Sequence, residues 1–402
     1  MVPRLRVVSV VRERKSVALF IETSNAYARG LLHGIVEYVQ HNSFWSIVLP
    51  EHQRGASLPG WLRKWRGDGV IARIETESIA RALRNIDLPV VDVSAARHVR
   101  HIPWVETDDA AIAQLAAEHL LERGFRQMGY CGERGFNWSL WREEHFRRIV
   151  EAAGCTCHVH QSLSSLQKGY SWNREKQRLA AWVRKLPKPI GVMACYDIKA
   201  QQLVDVCREL RIAVPEEVAV IGVDNDPLLC GLANPPLSSV IPNVRRTGYE
   251  AAVLLDRMMA GERVPAEAHL IKPLGVQTRQ STDVQAMDDP AVAAAVRFIS
   301  EHACAGINVT DVLRHTPLTR RELESRFQKV LNRTPHQEIL RVRMARVKRL
   351  LAETTLSLAE IAEQTGYQHV EYLSVAFKRE VGQTPREFRR ATNPAAGAVK
   401  SR

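Results

Sequence analysis

The chain has 402 residues, a formal net charge of +12, a sequence pI near 9.6 and 45% hydrophobic residues. That size admits two or three domains with ordinary cores, and the basic excess points to a polyanionic partner. Seven cysteines, an opening too short in apolar residues for a secretory leader, and no apolar run near ~20 residues argue against a disulfide scaffold or a membrane span.

Residues 1–15 read as a basic tail. From Ser16 onward, short apolar runs alternate with amphipathic stretches. Val17-Ala-Leu-Phe-Ile is a strand and Gly30 to Gln40 a helix. Strands follow at Phe44 to Leu49 and Gly69 to Ala72, with a helix between them and another over Ser78 to Asn85. Pro89-Val-Val-Asp-Val is the next strand. After Thr107-Asp108 a helix runs to about Arg123, followed by the strand Met128-Gly-Tyr-Cys. A helix near Arg142 to Ala153, a strand near Cys157 to His160 and a helix near Arg174 to Lys185 continue the pattern. Ile190 to Ala194, the helix Ala200 to Leu210, and Val218 to Val223 complete it. Such alternation means parallel sheets covered on both faces.

The units are too many for one sheet of ordinary size. Two lobes are expected, the first over about 16–104 plus 240–275 and the second over about 105–238, with the chain crossing near 100–107, 236–245 and 270–276. Paired α/β lobes bind small molecules in the cleft, at the carboxyl ends of strands. Asp108 before a helix, Cys195-Tyr-Asp, Val220-Ile-Gly-Val-Asp-Asn-Asp and Leu237-Ser-Ser-Val-Ile make 16–280 resemble the LacI-type sensor fold, itself similar to periplasmic sugar-binding proteins. A polar linker over 281–290 follows, with a helix opening at Pro290.

The last third holds an internal repeat. Leu323, Phe327, Thr334 and Pro335 recur as Leu373, Phe377, Thr384 and Pro385, all offset by 50 positions. Each copy reads helix, turn, helix, over about 309–331 and 357–381, with Thr319 and Ser357 as N-caps. This is the helix-turn-helix layout, whose second helix enters a DNA major groove. Pro335 to about Glu353 forms a helical rod. About 18 residues at ~1.5 Å rise span roughly 27 Å, near the ~34 Å between successive grooves on one DNA face. From residue 291 on there are 19 Lys/Arg against 11 Asp/Glu, which is +8 of the +12. Phosphate neutralisation asks for such an excess. Residues 393–402 read as a disordered tail.

The run Leu356-Ser-Leu-Ala-Glu-Ile-Ala-Glu-Gln-Thr-Gly-Tyr, then Tyr372-Leu-Ser-Val-Ala-Phe-Lys-Arg and Gly382-Gln-Thr-Pro-Arg-Glu-Phe-Arg, resembles the signature of AraC/XylS-type transcription regulators. The whole chain is then a two-lobed LacI-type sensor followed by an all-α double helix-turn-helix domain over 291–392. That uncommon order resembles the bacterial xylose-operon regulators. The resemblance implies a cytoplasmic, nucleoid-associated activator of sugar catabolic genes, induced by a pentose such as D-xylose. It also implies a homodimer on repeated operator half-sites, with RNA polymerase as a further partner.

Candidate sugar-binding residues are Asn25 and Tyr27 in the first strand-helix loop, Trp138 as a plate for the sugar ring, and Asp224-Asn225 at the end of an apolar strand; the resemblance to LacI-type sensors implies Arg142 and Asp92, the latter after a strand, as further sugar contacts. Helix capping and core packing compete with these roles, and Asp197 is equally suited to capping. Candidate base contacts are Arg320, Arg321, Glu324 and Ser325 on the first recognition helix, and His369, Val370, Glu371 and Ser374 on the second, with Lys378 nearer phosphate. Arg341, Arg343, Arg346, Lys348 and Arg349 on the rod face either phosphates or solvent. Cys155-Thr-Cys157 has no matched second pair for a metal, and no nucleophile-base constellation stands out. No cofactor, metal or enzymatic activity is expected. Rival readings are a sugar-transport receptor, which wants a leader peptide, and a DNA-alkyl acceptor, which wants a reactive cysteine beside a cysteine cluster. A different effector or a repressor role stays compatible with these residues.

Overall fold

The computed structural model describes residues 14–392 apart from 43–44, 52–53, 55, 85, 165–166, 168, 284–288, 332 and 355. Residues 1–13 of the expected tail 1–15, 284–288 of the expected linker 281–290, and the expected tail 393–402 lie outside the described residues, and Lys15 already opens the first strand. Contacts divide the chain into two compact units, 1–284 and 285–402.

In the first unit, Lys15–Phe20 (β1), Ala26–Asn42 (α1) and Trp45–Val48 (β2) lead to Gly69–Ala72 (β3), Glu77–Leu83 (α2), Val90–Asp92 (β4) and Trp104–Thr107 (β5). The chain then leaves this lobe. Asp109–Glu122 (α3), Gln127–Glu133 (β6), Asn137–Ala152 (α4), Thr156–Ser162 (β7) and Trp172–Lys185 (α5) begin the second lobe. Ile190–Ala194 (β8), Asp197–Glu209 (α6), Val218–Val223 (β9), Pro227–Leu232 (α7) and Ser238–Ile241 (β10) continue it. Val244–Met259 (α8) and Ala268–Ile271 (β11) return to the first lobe, and Gly275–Gln277 (β12) goes back to the second. The sheet orders are β11-β5-β4-β3-β1-β2 and β12-β10-β9-β8-β6-β7, parallel throughout except for the β10–β12 edge.

Because both faces of each sheet are covered, the strands are near-continuous apolar runs. In lobe one, Leu19, Ile71 and Val91 pack with Leu31 and Ile35 of α1 and Leu254 and Leu255 of α8. Helices α1 and α8 approach closely because each carries a glycine at the crossing. A Cβ on Gly34 would strike the Arg245 carbonyl oxygen, and one on Gly248 would strike that of Leu31. Lobe two has its own core, with Val192, Val220, Leu203 and Leu179 buried together.

Two expectations are corrected. Among the described residues, the stretch between β2 and β3 holds a 3-10 turn, Gly60–Lys64, and no α-helix, because Pro59 precedes it and the buried Leu62 anchors a single turn. Strand β5 belongs to lobe one, where it pairs with β4 and β11, so the first crossing follows Thr107 rather than residue 104. The second crossing, after β10, and the third, between β11 and β12, fall within the expected 236–245 and 270–276.

The sensor also extends past 280. Ser281 and Thr282 are fully buried. Ser281 Oγ donates to the Val220 carbonyl (2.6 Å) and accepts from the Ser238 amide (2.8 Å). Arg123 Nε donates to the Thr282 carbonyl (2.7 Å). Arg279 donates to the Leu237 carbonyl and to Asn225 Oδ1, each at 2.8 Å. All of these partners lie on lobe two.

The second unit is helical. It comprises Pro290–His302 (α9), Val309–Leu313 (α10), Arg320–Leu331 (α11), Pro335–Glu353 (α12), Leu358–Gln364 (α13), Val370–Val381 (α14) and Pro385–Thr392 (α15). Reciprocal capping boxes open α10 (Asn308 and Asp311), α12 (Thr334 and Gln337) and α13 (Ser357 and Glu360). Thr319 Oγ1 accepts from the Glu322 amide at the start of α11. The 19 residues of α12 span roughly 28 Å at ~1.5 Å rise. Leu323 and Phe327 in one head and Leu373 and Phe377 in the other are fully buried, and Met344, Val347 and Leu351 of α12 pack against the latter pair.

Candidate functional site

The carboxyl ends of β1, β3, β4 and β5 face the loops after β8 and β9 across a cleft. It encloses a cavity of about 340 Å³, within the range of small-molecule sites. Arg73 pairs with Glu22, and with Glu75 at 2.7 Å; Arg54 grips the same Glu75 at 2.9 and 3.1 Å. Burial pushes the Glu75 carboxyl up, but the guanidiniums of Arg73 and Arg54 outweigh it and hold Glu75 below the usual range. From the other lobe, buried Arg142 donates to Asp109 Oδ1 (2.6 Å) and to the Cys195 carbonyl (2.7 Å). Each cleft arginine therefore has a carboxylate partner.

Asp224 differs. Its side-chain oxygens have no hydrogen-bond partner among the described residues, and burial raises its carboxyl although Arg142, Arg73 and Arg54 pull the other way. It also sits at φ +108°, with Asn225 at +51°. Two successive non-glycine residues in this region store strain of about 1–3 kcal/mol each, a cost met at ligand-facing loops. An aromatic wall completes the cavity. Trp138 stacks on Phe136 at 5.1 Å and meets the edge of Tyr196 at 5.5 Å. Arg142 lies 5.1 Å from the centre of the Trp138 ring. Tyr27 lies under Arg73 at 5.1 Å, and burial pushes its hydroxyl up to about 12.

Asn25, Tyr27, Trp138, Arg142 and Asp224 thus meet at the cavity wall. Asn25 also caps α1: its Oδ1 accepts from the Ala28 amide (2.8 Å) and its amide donates to Glu22 (2.9 Å). Two residues expected at the sugar are elsewhere. Asp92 is buried behind the wall, where Oδ1 accepts the amides of Ser94 (2.8 Å) and Ile74 (3.2 Å) while Oδ2 has no partner. Burial pushes its carboxyl up to about 8, so it is protonated at neutral pH. Asn225 turns its side chain to Arg279, because the two left-handed residues send successive side chains apart. Asp197 ties loops together, accepting from the Asp226 amide (2.8 Å) and Ser239 Oγ (2.7 Å).

Arg54, Arg73, Glu75 and Asp109 were not anticipated at the wall. Arg73-Ile-Glu75 directly follows an apolar strand, the signal that marked Asp224, and could have been found the same way. Arg54 lies in a loop without such a signal.

In the second unit, Arg320, Arg321, Glu324 and Ser325 are all exposed on α11, where Arg320 pairs with Glu324 at 3.0 Å. On the second head His369, Glu371 and Lys378 are exposed and Ser374 is half-buried. Val370 is half-buried and packs on the core around Leu373 and Phe377, at the start of the helix. Tyr372 and Val375 are exposed instead. On the rod, Arg343 is occupied with the carbonyls of Ala303 and Ile307, both at 2.8 Å. Arg341 holds Glu338 (2.8 Å) and Lys348 faces Glu380 (3.5 Å).

Family models match the XylR N-terminal domain over 16–110, a periplasmic binding protein-like domain over 117–282 and a helix-turn-helix domain over 312–391. The xylose operon regulatory protein of Escherichia coli K12 is 34% identical over 385 residues, 94% of this chain and 97% of that one. The chain belongs to the xylose operon regulatory protein family. Its Haemophilus influenzae member is 32% identical over 93% of this chain and 97% of its own length. The solved structure of the xylose-binding transcription activator xylR superposes with a TM-score of 0.82 at 34% identity, covering 95% of this chain and 99% of that one. As in other members of the family, the chain is a transcription regulator with a two-lobed α/β sensor and a helical DNA-binding domain. No described helix is long and apolar enough to cross a membrane.

Proposed function

We propose that the cleft binds D-xylose or a near pentose and that the occupied protein activates sugar catabolic genes. It acts as a homodimer, each chain laying α11 and α14 in adjacent major grooves, beside RNA polymerase. One observation carries the ligand reading. Every cleft arginine is neutralised by its own carboxylate, whereas Asp224 faces the cavity beside the Trp138 ring with its oxygens free to accept. That arrangement suits an uncharged polyol, whose hydroxyls donate to Asp224 while a ring face lies on Trp138. Among the described residues of the wall, an anionic effector would find no unpaired arginine. The names of the relatives favour xylose among the polyols. A ligand acts here only by binding two forms unequally.

Calorimetric titration of the full chain against D-xylose, L-arabinose, D-ribose and a sugar phosphate tests this. Saturable heat with a neutral pentose and none with the phosphate is the expected result. Silence from every pentose overturns the ligand reading. Operator binding that does not change with sugar overturns the induction.

A further inference from the structure

The two heads repeat the same helices, yet their recognition helices offer DNA different chemistry. The candidate base-reading positions of α11, Arg320, Arg321, Glu324 and Ser325, are exposed and polar. On α14 the corresponding stretch carries two large apolar side chains in solvent, Tyr372 at 54% and Val375 at 66% exposure. Three residues apart, they share one helix face. Glu371, Lys378 and Arg379 are exposed on the same side, while Leu373, Ala376 and Phe377 fill the core opposite. Tyr372 is braced at 6.1 Å by the buried Tyr367. The pair sits in the N-terminal half of the helix, the part that meets base edges, and Lys378 and Arg379 sit in the half that meets phosphates.

Resting on the DNA-binding role, we propose that the two heads read different base chemistry: α14 reads thymine C5-methyl groups through Val375 and Tyr372, and α11 reads guanine through Arg320 and Arg321. In the major groove only thymine presents a methyl group, and only guanine presents the paired N7 and O6 acceptors that fit a guanidinium. The half-site under α14 is therefore A·T-rich and the half-site under α11 contains G·C pairs. The Arg320–Glu324 pair does not oppose this, because an exposed pair four residues apart contributes little and opens readily. The basic residues flanking the apolar pair favour DNA over a protein as its occupant.

The test uses the full chain and duplexes recovered by selection from a random pool. Each thymine is replaced in turn by deoxyuridine, which removes the methyl group and nothing else. Substitution under α14 is expected to weaken binding about fourfold per contacted methyl, from ~0.8 kcal/mol per buried carbon. Substitution under α11 should leave affinity within about twofold. In Val375→Ala at least one deoxyuridine effect disappears, since the contact is already gone, and Arg321→Ala loses its preference for G in the other half-site. A two-groove footprint with no sensitivity to deoxyuridine overturns the proposal and leaves the DNA-binding role standing. No footprint in either groove overturns that role itself. If Val375→Ala binds every duplex as the parent does but sediments as a smaller species, the apolar face is a protein contact and the proposal fails.

Discussion

The cleft and the recognition helices both carry dense charge, and they use it in opposite ways. In the cleft, arginines and carboxylates are buried and already bonded to one another. On α11 and α14 the candidate charges stand in solvent, and the one ion pair among them is exposed. A buried pair cannot be halved without leaving a stranded charge, so cleft residues fix shape first and touch ligand second. An exposed charge contributes little to folding and most of its worth appears when a partner arrives. Substitutions in the two places should therefore separate stability from binding.

The sharpest separation is at Arg142. Arg142→Ala strands Asp109 in the interior and should lower sensor stability by about 3–5 kcal/mol in urea unfolding. A loss below about 1 kcal/mol would break the contrast. Asp224→Asn should leave unfolding nearly unchanged and weaken sugar binding by about 1.5–3 kcal/mol, seen by calorimetry. Because burial raises the Asp224 carboxyl, sugar affinity in the parent should start to fall at a pH above the ordinary carboxylate range, and the variant should lack that fall. On the other side of the comparison, Arg321→Ala should cost about 1–3 kcal/mol in operator binding with no change in thermal midpoint.

Asp92 gives a test of sign. Its folded value of about 8 lies above the ordinary 3.8. The folded chain thus holds more protons across that window, and its contribution to stability is lost as pH rises from about 4 to 8. Asp92→Asn should remove this slope, worth at most about 1.4 kcal/mol per pH unit, in unfolding curves taken at several pH values.

Much of this arrangement was legible in the residues. The 50-residue repeat marked both heads because identical apolar positions must bury identical faces. Alternating strand and helix patterns marked two lobes because parallel strands read as continuous apolar runs. What a single strand's pattern could not show was its sheet: β5 reads the same whether it pairs in lobe one or in lobe two, and only β11, more than 160 residues later, decides it. In the cleft, a polar residue at a strand end led to the cavity wall at Asp224 but not at Asp92 or Asn225. Strand position sets which loop a residue joins, and local backbone then sets where the side chain goes. The left-handed conformation at Asn225 and the amides of Ile74 and Ser94 around Asp92 are not written in spacing. Arg54 and Arg73 were hidden for a related reason: their role depends on sharing Glu75, a contact between segments about twenty residues apart.

The hydrogen bonds of Arg279, Ser281 and Thr282 hold the end of the sensor to lobe two, like a trailer on one axle. Seen from there, shutting the cleft swings lobe one and leaves the exit where it was.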